Sequence, residues 1–129
     1  MRRKKLQQLT ERQLQILNVI WERGRATVAD VSLALRRTRL ARKTIGTLLA
    51  RMEEQGLVTH TVEAREFSYA ALITREQVAR AKLRSVLDYV LGGSASPLIR
   101  YALEEDEVAP GDIERVEELL RKYHPEKGA

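Results

Sequence analysis

Apolar residues recur at helical spacing three times before Gly56, switch to strand-like alternation between Leu57 and Leu72, and return to helical spacing after Thr74. That order predicts a mainly α fold with a small β-hairpin: a winged helix-turn-helix over residues 1–73 and a three-helix tail over 74–129. In such a fold the third helix enters the major groove and the hairpin is the wing.

The first helix spans about Glu11 to Arg23, with Thr10 and Gln13 forming a T-x-x-Q capping box and Gly24 as the stop. Leu9, Gln13, Ile16, Leu17, Ile20 and Trp21 share one face, and all but Gln13 are apolar. A second, shorter helix follows Thr27, with Asp30 three residues on, and carries Val28, Val31, Ala34 and Leu35. The basic connection "RRTR" leads into a third helix from about Ala41 to Gln55, ended by Gly56. Ala41 is a poor N-cap, which leaves Thr38 as an alternative cap for a slightly longer helix. "LVTHTVEAREFSYAAL" then reads as two strands joined by a turn within "EARE". The tail begins with a helix from Arg75 to Leu91, capped by Thr74 and stopped by Gly92-Gly93. A second helix starts near Pro97 after Ser96, and a third opens with Pro110 and aligns Ile113, Val116, Leu120 and Tyr123. The N-terminal "RRKK" is expected to be a frayed arm.

Composition narrows the function. With zero cysteines there is no disulfide, no thiol redox chemistry and no Cys-ligated metal. No run of about 18 apolar residues is present and no apolar segment follows the N-terminal cations, so a cytoplasmic chain without membrane span or secretory signal is expected. The net charge of +5 is unevenly placed: residues 1–69 carry 14 Lys/Arg against 7 Asp/Glu, whereas residues 70–129 carry 9 against 11. The front half is therefore the part expected to meet a polyanion.

The third helix carries that expectation. Ile45, Leu48, Leu49 and Met52 form a core-facing stripe, while Lys43, Thr44, Thr47 and Arg51 lie opposite, with Arg42 at the start. Lys and Arg reach phosphates or guanine acceptors, and Thr brings a hydroxyl and a methyl to base edges. Gly46 and Ala50 add little bulk, and the acids Glu53 and Glu54 are deferred to the helix end. Arg65, at the hairpin turn, either reaches flanking phosphates or pairs with Glu63 or Glu66.

The stretches "LTERQLQILNVIWERG", "TVADV", "KTIGTLLARMEEQGLV" and "FSYAAL" resemble the penicillinase-repressor family, the winged-helix repressors of beta-lactamase and methicillin-resistance operons. A weaker match continues through "VLDYVLGGSASPLIRYALEEDEVAPGDIERVEELL". Copper-responsive repressors share the DNA-binding half. The resemblance implies a homodimer on a palindromic operator, with Lys43, Thr44, Thr47 and Arg51 on the recognition helix and Arg65 on the wing. It also implies a dimerisation tail, consistent with three short helices burying too little alone. Leu87, Val90, Leu91, Leu98, Ile99, Ala102, Leu103 and Leu120 are the expected interface residues. Tyr101-Ala102 stands where the antibiotic-responsive members are cleaved at an Asn-Phe bond, and the C-terminal cysteine cluster of the copper-responsive members is missing. Gln13 and Leu14 replace the family's usual Glu and aromatic residue.

An enzyme is not expected. His60 and His124 have no nucleophile-base constellation, "EEDE" at 104–107 reads as a solvated loop, and Gly92-Gly93 is a helix stop rather than a phosphate loop. No cofactor or metal is expected. Two alternatives stay open: a winged-helix regulator controlled by a small ligand, and a winged-helix protein-protein module that never reads DNA. The operator, the regulated genes and the inducing signal, whether a regulatory protease or a small ligand, are not legible.

Overall fold

The computed structural model describes residues 2–105 and 108–123 and divides the chain into two compact units, one running to Ser85 and one from Val86. The first unit holds helices α1 (Arg2–Gln7), α2 (Glu11–Arg23), α3 (Val28–Ala34) and α4 (Arg42–Glu54), and strands β1 (Ala26–Thr27), β2 (Val58–Glu63) and β3 (Glu66–Ala71). Helix α5 (Arg75–Tyr89) begins in this unit; α6 (Ser96–Glu104) and α7 (Asp112–Tyr123) belong to the second.

Local chemistry sets the helix ends as expected at three places. Thr10 and Gln13 form the reciprocal capping box of α2, Thr27 and Asp30 that of α3, and Thr74 and Gln77 that of α5. Gly24 ends α2 at φ 84°, a backbone angle that costs a β-carbon-bearing residue about 1 kcal/mol or more. The predicted core stripe is also present: Ile16, Leu17, Ile20, Val31, Ile45, Leu49 and Met52 are all but inaccessible to water. Each such side chain contributes roughly 1.5–3 kcal/mol through burial. Leu48 and Trp21 pack partly buried against this core, and the indole N–H of Trp21 donates to the Ile73 carbonyl at 2.9 Å.

Several expectations are corrected. The N-terminal cations do not form a frayed arm; they lie in α1. A six-residue helix cannot hold itself together, since isolated helices need about 12–15 residues, so its docking must supply the stability. Leu6 and Leu9 are buried, Lys82 on α5 donates to the carbonyls of Gln7 (2.9 Å) and Leu9 (2.6 Å), and the Lys5 ammonium donates to the Gln55 carbonyl. The hairpin, too, is not alone. Strand β1 pairs with β3, Ala26 opposite Tyr69 and Thr27 opposite Ser68, giving an antiparallel sheet of order β1-β3-β2.

Thr38 does not cap α4. Its hydroxyl donates to the Leu35 carbonyl at 2.7 Å inside a 3-10 turn over Arg36–Thr38, and α4 starts after Ala41 with no side-chain cap. Helix α5 stops at Tyr89 instead of Leu91, and Ser96 lies inside α6, with Ala95 in the cap position. Pro110 precedes α7, which opens at Asp112, whose carboxylate accepts the Ala109 N–H at 2.7 Å. His124, Asp106 and Glu107 fall outside the described residues.

Candidate nucleic-acid interface

Helix α4 is two-faced. Ile45, Leu49 and Met52 seal one side into the core, so Arg42, Lys43, Thr44, Thr47 and Arg51 are turned to solvent and all five are exposed. Among the described residues, Arg42, Lys43 and Arg51 make no side-chain hydrogen bond or ion pair, which leaves three cations unneutralised on this face. Thr47 differs from its neighbours: its hydroxyl donates back to the Lys43 carbonyl at 3.0 Å. With that proton engaged, the exposed Thr47 hydroxyl is left to act as an acceptor. Gly46 faces α3, and a β-carbon built there would meet Val28 Cγ2 at an ordinary 3.9 Å, so the packing does not require glycine.

Of the two acids at the end of α4, Glu53 is directed to the sheet and Glu54 is exposed. Glu53 Oε1 lies 2.6 Å from His60 Nδ1 on β2, and the His60 ring stacks on Phe67 of β3 at 4.0 Å and 13°. Tyr69, buried beside them, has its phenol pushed above the usual range, first by burial and then by the Glu53 charge. The recognition helix and the wing are thereby joined by side chains of both.

On the other face of the sheet, Arg25 does the equivalent for the loop before β1. Its guanidinium donates to Ser68 Oγ (3.1 Å), the Ser68 carbonyl (2.8 Å) and Thr61 Oγ1 (2.8 Å). Sequence reasoning missed Arg25, because a single arginine after Gly24 carries no periodic or motif signal. The wing tip is the two-residue turn Ala64-Arg65, with φ of 49° and 68°, both left-handed as a tight hairpin requires. Arg65 is exposed and, among the described residues, does not pair with Glu63 or Glu66.

The second unit presents a different surface. No residue of α6 or α7 is buried. Of the expected interface residues, Val90, Ile99, Leu103 and Leu120 are exposed, while Leu87, Leu91, Leu98 and Ala102 are partly buried. Ile113, Val116, Leu119 and Tyr123 add a largely apolar face to α7. Among the described residues there is no cluster able to hold a metal ion and no helix long and apolar enough to cross a membrane.

Two solved structures share this architecture. One is the YusO protein from Bacillus subtilis, with TM-score 0.55 and 16% identity over 83% of this chain and 79% of that one. The other is a MarR family protein from Bacillus stearothermophilus, with TM-score 0.50 and 23% identity over 99% and 84%. At such identities they establish the fold alone. The fold is that of a winged helix, and its α4 exposes a cationic face. Residues 9–122 match the family model described as penicillinase repressor, and the chain belongs to that family. It is similar to the penicillinase repressor of Bacillus licheniformis, 26% identical over 125 residues, 96% of this chain and 98% of that protein. It is also similar to the methicillin resistance regulatory protein MecI of Mammaliicoccus sciuri (20% over 119 residues, covering 92% and 97%) and of Staphylococcus aureus strain N315 (19%, covering the same shares). These relatives are transcriptional repressors, not enzymes, and this chain is a DNA-binding transcriptional repressor.

Proposed function

We propose that the chain represses transcription in the cytoplasm as a homodimer on a palindromic operator, with α4 of each copy in a major groove. The observation that carries this reading is the composition of α4: a fully buried stripe behind, and Arg42, Lys43, Thr44, Thr47 and Arg51 exposed in front without an acid among them. Lys43, Arg42 and Arg51 hold phosphates or guanine acceptors, Thr44 and Thr47 meet base edges, and Arg65 touches the backbone or minor groove beside them.

Dimerisation is supported by the second unit. Its helices bury no residue of α6 or α7 and expose apolar side chains on both, an arrangement that a second copy would cover. A two-fold dimer would place two copies of α4 about one helical turn apart, or a small multiple of it, and so require an inverted repeat.

The test is binding of the purified protein to genomic fragments, including DNA upstream of its own coding region, with a salt titration and footprinting. A protected inverted repeat whose affinity falls steeply with salt is the expected result. Weak binding that ignores sequence would refute the operator-reading role.

A further inference from the structure

Three non-glycine residues of the described chain have positive φ: Arg39, Ala64 and Arg65. Two are arginines, and both sit at turns, Arg39 between α3 and α4 and Arg65 at the tip of the β2-β3 hairpin that follows α4. A left-handed backbone is costly for any residue with a β-carbon, and glycine or asparagine would relieve it. An arginine held there calls for a reason in its side chain.

The turn around Arg39 is tied on its inner side and open on its outer one. The Thr38 hydroxyl donates to the Leu35 carbonyl (2.7 Å) and accepts the Leu40 N–H (3.3 Å), and Leu40 packs against the core. Arg36 donates to the Leu33 carbonyl at 3.1 Å, so its guanidinium is partly engaged. Arg37 and Arg39 are exposed and, among the described residues, have no side-chain partner. The flanking acids are engaged elsewhere: Asp30 with Thr27 and Arg23, Glu53 with His60. From Val31 to Met52 the chain contains no acid at all, so nothing in this stretch neutralises the turn.

We propose that this turn is a second DNA-backbone contact, in which Arg39, with Arg37 beside it, binds phosphates flanking the groove that α4 reads. The inference rests on the DNA-binding reading above and deepens it. Arg39 and Arg65 then hold the backbone from two separate turns, one before the recognition helix and one after it in the chain. Guanidinium-phosphate contacts position the helix without reading sequence, so their loss weakens specific and random duplexes alike.

The experiment compares Arg39→Gly, Arg39→Lys and Arg37→Gln with the wild type, measuring affinity for operator and random duplex across a salt series, with thermal melts in parallel. Each lost phosphate contact lowers the slope of log affinity against log salt by about 0.9, equivalent to roughly a fivefold loss at 0.15 M salt. The expected result for Arg39→Gly is that loss on both duplexes together with a higher melting temperature, because glycine relieves the left-handed backbone. Arg39→Lys should recover most of the slope, and Arg37→Gln should lower it without changing the melt. Wild-type slopes and affinities in both Arg39→Gly and Arg37→Gln would overturn the inference while leaving the repressor reading intact. Failure of the wild-type chain to bind any duplex would overturn both.

Discussion

Replacing Arg25 with alanine tests how the wing is held. The guanidinium makes three hydrogen bonds of 2.8–3.1 Å to Ser68 and Thr61, and Ser68 is buried. Its contact with Glu63 is 3.9 Å and solvent-exposed on both sides, so it adds almost nothing. Hydrogen bonds from a charged donor are worth about 1.5–3 kcal/mol each when dry. The Arg25 side chain is 40% exposed, and water replaces part of each bond, so the three together come to roughly 2–3 kcal/mol. For a domain of this size that lowers the melting temperature by on the order of 10 °C or more. Arg25→Lys, a single point donor, should recover no more than about one of the three bonds. Thermal melts followed by circular dichroism read the stability, and a double-mutant cycle with Arg65→Ala reads the effect on DNA binding. The two substitutions should be non-additive in affinity, since a loosened wing no longer presents Arg65. If Arg25→Ala melts within about 2 °C of the wild type, the bonds are exchanged with water at no net cost and the reasoning fails.

Thr47→Ala should change base preference in a competition assay, whereas Lys43→Ala should weaken all duplexes by a similar factor; equal losses from both on specific and random DNA would remove the distinction. Leu103→Asp, at an exposed apolar position of α6, should shift sedimentation toward the monomer and lower operator affinity, and an unchanged profile would place Leu103 outside the interface. Gly46→Ala should raise the urea midpoint by an amount equivalent to roughly 0.5–1 kcal/mol, because the added methyl meets Val28 Cγ2 at an ordinary 3.9 Å and alanine favours the helix. Asp30 is held below the usual carboxylate range chiefly by the Thr27 N–H, helped by the Thr27 side chain and Arg23 against a partial burial cost. Its lower folded pKa stabilises the protein above about pH 4, and that contribution disappears as pH falls through the folded value. Asp30→Asn should therefore flatten the acid limb of a melting-temperature-against-pH curve, and an unchanged limb would exclude Asp30 as a contributor.

Much of the first unit was legible because its signals are local. Thr10-Gln13, Thr27-Asp30 and Gly24 act within one helical turn of themselves, and the stripe Ile45, Leu49, Met52 needs only the helical period to be recognised. The exposure of Lys43, Thr44, Thr47 and Arg51 follows from that stripe by geometry. Strand β1 was not legible, since two residues have no period and Ala26–Thr27 is a strand only because β3 lies beside it. Helix α1 was not legible either: six residues are too few to be stable alone, and Gln7 and Lys82 meet only in the folded chain.

The sequence by itself determined the order of α2 to α4, the hairpin and the tail helices, the two-faced α4 and the apolar faces of the tail, all of which depend on spacing along the chain. Only the tertiary structure decided that Arg25 clamps the wing, that Glu53 turns to His60, that the Thr47 hydroxyl donates to the Lys43 carbonyl, and that Arg39 stands unpaired on a left-handed turn. In each case the deciding fact is which hydrogen-bond partner or charge lies in reach across space. Partners such as Ser68 for Arg25, 43 residues away, leave no mark in local periodicity.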